Sequence, residues 1–350
     1  MRRAAALAAL VLATSVPVAH ADEGLTYLGQ TQIPYGALYD GTVVGGLSGI
    51  SYNPADQLFY LISDDRSAKN PARFYTARIP LSDNGIGTPE FVGTAPFAGL
   101  TGAVPPDPEG IAVDTARQRI YWSSEGTRDR DDGLLLDPWV RIAGFDGAPL
   151  GEFALPPGLR MSSHEQGPRD NEGLEGLTLT PSGRYVFAAM ESPVFADGAM
   201  PTEQRGALTR VTRFDAETGS PTAQFAYPVD PVSAGPGADN GLSDLVALDD
   251  SSFLTIERGY GTRVEARIYR TVIADADDVL GRASLLGPPV RTMTKTLLAN
   301  LADVPGLDYV DNVEGLTLGP LLPDGRRSVV VVTDDNFSDS QVTQVLLFAL

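Results

Sequence analysis

Apolar and polar positions along the chain alternate in short runs, and one arrangement of them recurs five times. Its fullest copy is NEGLEGLTLTPSGRYVFAAMES, from Asn171 to Ser192. An acidic, glycine-bearing lead-in (Glu172, Glu175, Gly176) runs into an apolar strand at Leu177–Leu179. Pro181-Ser182-Gly183 then makes a tight turn, and Tyr185–Met190 forms a second strand ending on Glu191. Such runs either side of a Pro/Gly turn predict a β-hairpin. The other copies are GLSGISYNPADQLFYLISDDR from Gly46, DPEGIAVDTARQRIYWSSEG from Asp107, GLSDLVALDDSSFLTIERG from Gly241 and NVEGLTLGPLLPDGRRSVVVVTDDN from Asn312.

The lead-in residues Ser48, Glu109, Glu175, Ser243 and Glu314 are 61, 66, 68 and 71 residues apart. The acids that close the second strands (Asp64, Glu125, Glu191, Glu257, Asp334) follow them by 16, 16, 16, 14 and 20 residues. A hairpin of nearly constant length inside a looser repeat is the mark of a blade with variable loops. Two more strand-like stretches follow each of the first four copies. They include Arg73–Leu81 and Pro89–Phe97, Gly151–Leu155, Ala207–Asp215 and Thr222–Val229, and Val264–Ile273. Met293–Leu301 fits an outer strand or a short helix. The fifth copy has one following strand, QVTQVLLFAL, whereas Leu25–Pro34 stands alone before the first copy. The pattern predicts an all-β chain: a β-propeller of five four-stranded blades, with the N-terminal strand completing the last. Six blades is the alternative, and a two-layer sandwich offers no reason for the long period. Lead-ins, second-strand ends and the longer connections all open on one face, where function is expected to gather.

Composition narrows the chemistry. Arg2 and Arg3, the apolar run Ala4–Ala13 and Ala19-His20-Ala21 read as a secretory signal, residues 1–21, cleaved near Ala21; residues 22–350 form the single propeller domain. The mature protein is expected in a periplasm or outside the cell, as a monomer without membrane insertion. Loss of the two arginines moves net charge from −19 to −21, which argues against nucleic acid and anionic membranes. Cysteine is absent, so neither disulfides nor thiol chemistry is available. Gly and Pro, 37 and 27 residues, suit a chain of many turns.

The working face collects Glu109, Glu172, Glu175 and Glu314 from the lead-ins, with Asp244 offset by one. Asp64, Asp65, Glu125, Glu191, Glu257, Asp334 and Asp335 come from the second-strand ends, with Arg66, Arg258 and Asn336 beside them. So many carboxylates at one channel mouth must bind cations, meet arginines or hold protons. An oxygen-only set suits calcium, or magnesium. The competing reading is that strand-end acids accept hydrogen bonds from the backbone of the next blade. The mature chain has one histidine, His164, so histidine zinc clusters are excluded. His164 is a candidate general acid or phosphate contact, or a loop residue without a role. Gly46-Leu47-Ser48-Gly49 lacks the second spacing a nucleophile elbow needs, since Ile50 stands where glycine should.

The modules GLSGI with FYLISDDR, DPEGIAVD with YWSSEG, NEGLEGLTLTPSGRYVF with MES, and VEGLTL with TDDN resemble the phytase-like family with esterase-like activity. The resemblance spans roughly Leu25 to Leu350. It implies a secreted propeller hydrolysing phosphate or related esters and, by analogy with calcium-dependent propeller phytases, calcium. Glu109, Glu125, Glu175, Glu191, Glu257, Glu314, Asp334, Asp335, Asp64 and Asp65 match the family's acids, whereas Ser48 and Ser243 depart from them. The expected function is metal-dependent hydrolysis of a small ester or phosphoester, with Glu175 at the chemical centre and Arg66, Arg258 or His164 orienting the anion. A lactonase-type propeller hydrolase and a non-catalytic ligand- or glycan-binding propeller are the rival readings.

Overall fold

The computed structural model describes residues 24–100, 105–129, 131 and 133–350; the signal expected at residues 1–21 lies outside them. The five hairpins predicted from the repeats become the inner halves of five antiparallel four-stranded blades. From the axis outward the first blade is Leu47–Asn53, Leu58–Ser63, Arg73–Arg78 and Glu90–Pro96. The second is Pro108–Asp114, Arg119–Ser124, Trp139–Gly144 and Pro149–Glu152, and the third Leu174–Leu179, Tyr185–Met190, Ala207–Asp215 and Pro221–Val229. The fourth is Gly241–Ala247, Ser252–Tyr260, Val264–Val272 and Thr294–Asn300. In the fifth, Asn312–Leu321, Arg327–Asp334 and Thr343–Ala349 are followed by Thr26–Ile33 from the other end of the chain, running from Thr26↔Ala349 to Ile33↔Thr343. The chain is a five-bladed β-propeller.

Period-two alternation explains why the blades stack. In the fifth blade Val330, Val332, Val345 and Leu347 face the first blade and meet Leu47, Phe59, Leu61 and Tyr75. Their neighbours Val329, Val331, Leu346 and Phe348 face the fourth blade and meet Leu254, Ile256 and Ile268. Equivalent apolar cores fill the other three junctions. Around the axis, Ile50, Ile111, Leu177, Leu245 and Leu316 are each at most 4% exposed, which gives the working face an apolar floor.

Inner strands approach one another closely at the residue after each lead-in. A Cβ on Gly110 would lie 2.5 Å from the Leu177 Cβ and 2.6 Å from the Glu175 carbonyl oxygen. Only glycine fits such a contact. Asp244 holds the same place in the fourth blade, and its carboxylate accepts from the backbone N–H of Leu177, Leu245 and Leu316 at 3.3, 2.8 and 2.8 Å.

Two stretches differ in detail from their sequence reading. The outer strand of the second blade starts at Pro149, after the left-handed turn at Gly147 (φ 78°). It ends at Glu152 because the Ala154 N–H bonds instead to Gly219 O of the next blade. Met293–Leu301 resolves as the strand Thr294–Asn300; the Asn300 side chain then caps a 3-10 turn at Leu301–Asp303. Among the described residues no helix is long and apolar enough to cross a membrane.

A mature chain beginning at Gly45 leaves the edge of Thr343–Ala349 unpaired and uncovers part of the core around Val345 and Leu347. It should lose the single cooperative unfolding transition, as followed by calorimetry. Melting identical to that of the full mature chain would contradict closure by the N-terminal strand.

Candidate functional site: an acidic propeller mouth

Every inner strand carries a bulge at its lead-in. The pairing with the second strand slips between Leu47 and Gly49, Pro108 and Ile111, Leu174 and Leu177, Leu242 and Asp244, and Val313 and Gly315. An extra residue in one strand re-aims the side chain it carries. Here it turns Glu109, Glu175 and Glu314 into the mouth. Ser48 and Ser243 stand at the matching places and donate to the next blade's backbone, at Glu109 O (3.0 Å) and Val313 O (3.2 Å).

The second-strand ends add the next tier. Backbone pairing aligns Asp64 with Gly46, Glu125 with Asp107, Glu191 with Gly173, and Asp334 with Asn312. In the fourth blade the residue paired with Gly241 is Arg258, one place beyond Glu257. An arginine therefore fills the place an acid holds in the other four blades. Its Nη2 lies 3.1 Å from Glu191 Oε1 and 3.3 Å from Glu314 Oε1, and its Nη1 lies 3.8 Å from Asp239.

Glu257 points elsewhere. It is fully buried and accepts from Tyr227 Oη, Asp230 N and Asn240 Nδ2, each at 3.0 Å, and from Lys295. That cluster ties the fourth blade's outer strand to the third blade. Each Asp-Asp pair divides its labour in a similar way. Asp64 and Asp334 face the mouth, whereas Asp65 accepts from Ala68, Lys69 and Asn70 N–H and pairs with Arg73 at 2.8 Å. Asp335 accepts from Gly46 and Phe337 N–H. Glu172 is half-buried at the rim. His164 is exposed in the loop before the third blade, and its carbonyl accepts from Arg128.

Three mouth residues stand outside the sequence-derived set, one of them the Asp239 that Arg258 meets. Asp107 and Asn312 each precede a lead-in glutamate by two, in Asp107-Pro108-Glu109 and Asn312-Val313-Glu314. Asp107 lies 2.5 Å from Arg66 Nη2. Arg66 is 48% exposed, reaches Glu125 at 3.9 Å and donates to Asn171 Oδ1. It is a cation that solvent and solutes can meet, whereas Arg258 is enclosed.

Burial pushes the pKa of Glu109 well up, and the charges of Glu175, Asp107 and Glu125 add to it. Burial does the same to Glu175, reinforced by Glu125, Glu191 and Glu314 and opposed by Arg258. Glu125, Glu191, Glu314, Asp64 and Asp334 all move upward with burial as the leading cause. Asp107, Glu109 and Glu125 each present one oxygen, and these oxygens all lie within 4.8 Å of one another. Carboxylate oxygens without histidine or cysteine suit a hard divalent cation such as calcium or magnesium. Buried Asp334 Oδ2 and Asp64 Oδ1 have no hydrogen-bond donor.

Propeller fold and acidic mouth together define a class, the β-propellers with a ring of acids at one end of the channel. Within it, a family model described as phytase-like, with esterase-like activity of phytase, matches residues 42–337. The chain belongs to that family. No curated protein matches it. Among solved structures it is similar to a family GH43 β-1,3-galactosidase solved with galactodeoxynojirimycin (11% identity, 90% of this chain and 94% of that one, TM-score 0.47). It is also similar to an exo-β-1,3-galactanase from Phanerochaete chrysosporium (13%, 91% and 64%, TM-score 0.49) and to hydrazine synthase from Kuenenia stuttgartiensis (12%, 89% and 66%, TM-score 0.37).

A carboxyl whose pKa is raised on folding holds its proton more tightly in the folded chain. Its stabilising effect is complete below the ordinary values of 3.8 and 4.5 and is lost as pH rises through the raised value. With chelator present, the melting temperature should therefore fall as pH climbs above the ordinary carboxylate range. Calcium should flatten that slope, as calorimetry at matched ionic strength would show. Asp244→Ala strands three backbone N–H donors, each costing roughly 1–3 kcal/mol. The loss, measured by denaturant titration, should be the same with calcium and with chelator.

Proposed function

We propose that the acidic mouth is the active site of a divalent-cation-dependent hydrolase acting on phosphate esters or closely related esters. The observation that carries this reading is the convergence of Asp107, Glu109 and Glu125 beside the half-exposed guanidinium of Arg66. Those three carboxylates would hold the ion. Calcium or magnesium bound there supplies a more acidic water and polarises the ester's oxygen.

The chain's own residues divide the remaining work. Arg66 shares its charge between Asp107 and solvent, and its planar fork suits two oxygens of a phosphoryl group. Without such a cation an anionic substrate would be repelled by a mouth of buried acids. Glu175 keeps a proton to higher pH than an ordinary glutamate, because of burial and then the charge of Glu125. It can donate that proton to the alkoxide oxygen as the ester bond breaks. Arg258 holds Glu191 and Glu314 in place rather than meeting substrate. The signal expected at residues 1–21 would direct the chain to a periplasm or the exterior, where calcium is abundant enough to fill such a site.

The test is a panel of phosphomonoesters, phosphodiesters and carboxylic esters, run on the purified mature chain with calcium, magnesium or chelator. Chelator should abolish turnover. Glu109→Gln should lower kcat/KM by at least about tenfold. Arg66→Gln should raise KM for phosphate esters while leaving KM for uncharged carboxylic esters nearly unchanged. Turnover indifferent to chelator would refute the cation. A calcium-binding chain inert on the whole panel would leave a binding propeller instead.

A further inference from the structure

Beside the Asp107 cluster, the seam where the fifth blade meets the first holds unpartnered oxygens of its own. Asp334 is 1% exposed; its Oδ1 accepts from Asn336 N–H at 2.9 Å, while its Oδ2 has no donor. Asn312, its partner across the hairpin, is 4% exposed. The Asn312 amide orientation is fixed because Nδ2 donates to Glu314 Oε1 at 2.7 Å; the flipped amide would set oxygen against carboxylate. Asn312 Oδ1 is left buried without a donor. From the first blade comes Asp64, whose Oδ1 is likewise buried and unpartnered.

Covering groups shield this place. A Cβ on Gly46 would lie 2.0 Å from Asp64 Oδ1 and 2.5 Å from the Phe337 ring, so the ring and the carboxylate close over the glycine together. Phe337 and Asn336 hold left-handed φ values of 49° and 46°, which non-glycine residues seldom adopt. Asp335 fixes that turn by accepting from Gly46 and Phe337 N–H. Nearby, Arg258 is spent on Glu191, Glu314 and Asp239. Three buried acceptors without donors are costly unless a cation meets them. Two carboxylates and an amide carbonyl form an all-oxygen set of the kind calcium takes, with water completing the coordination.

We infer that Asp64, Asp334 and Asn312 form a second calcium site, a staple across the seam between the fifth and first blades. It stands apart from the hydrolytic reading, since its office is to lock the ring where the two ends of the chain meet. A cation there joins the lead-in and second strand of the last blade to the second strand of the first. Calcium binding and ring closure are thereby one event, and removal of the ion loosens the blade that carries both Thr26–Ile33 and Thr343–Ala349.

The experiment uses the full mature chain and calcium alone as the probe. Hydrogen exchange reads protection of Thr26–Ile33 and Thr343–Ala349 with calcium and with chelator, and a melting curve accompanies each state. Calcium should slow exchange in both strands at least tenfold and raise the melting temperature by several degrees. Asp334→Asn and Asn312→Ala should each remove most of that protection. Glu109→Gln should keep it, because the Asp107 cluster is not part of the staple. If Asp334→Asn fails to fold, Asn312→Ala, which leaves the charges in place, decides alone. Equal seam protection with calcium and chelator in the unaltered chain would overturn the inference, as would full calcium protection in Asn312→Ala. Both readouts are indifferent to ester hydrolysis, so failure of the proposed activity and failure of the staple are separate results.

Discussion

A strand from the start of the chain hydrogen-bonds to the strand at its end, and the ring depends on that one antiparallel pairing. Five inner strands press against one another around the axis closely enough to exclude even a methyl group at Gly110. Such contacts hold only while the circle is shut, because an open blade edge lets its neighbours splay. The acidic mouth inherits this condition. Its carboxylates come from different blades, and their mutual distances are set by the ring rather than by any one hairpin.

Gathering those acids opposes folding. Each loses hydration, and each feels the others through a medium that screens poorly. The chain meets part of this cost internally: Arg258 is shared among Glu191, Glu314 and Asp239, and Arg66 leans on Asp107 and Glu125. Asp244 shows a different solution, in which backbone N–H groups from three blades converge on one carboxylate. Asp64 Oδ1 and Asp334 Oδ2 are left without a donor. Removing either arginine would leave buried charge uncompensated.

Most of the architecture was legible because the hairpin is written five times, with the strand deficit at one end matched by the surplus at the other. The site was legible in composition but not in register. A strand read at period two hides the bulge, and so it hides the reason why Glu109, Glu175 and Glu314 turn inward. Matching acid to acid set Glu257 beside Asp64, Glu125, Glu191 and Asp334. Backbone pairing puts Arg258 there, because the fourth hairpin is shorter. Asp65 and Asp335 adjoin the mouth residues in sequence, and only the turn geometry shows them pinning loops. Asp107 and Asn312 could have been found by carrying the glycines at Gly46, Gly173 and Gly241 round the repeat and asking what replaces them.

The arginine at position 258 has one further consequence. Five like blades with five like acids would make the mouth the same from every side, and a solute could enter in any of five equivalent rotations. Arg258, with serines at 48 and 243, breaks that pseudo-fivefold symmetry. Arg258 meets Glu191 of the third blade and Glu314 of the fifth, Arg66 meets Asp107 and Glu125 of the second, and unpartnered carboxylate oxygens stay at Asp64 and Asp334, where the fifth blade adjoins the first. The mouth thereby acquires a compass direction across its diameter, so that a repeated scaffold presents one bearing to whatever it binds.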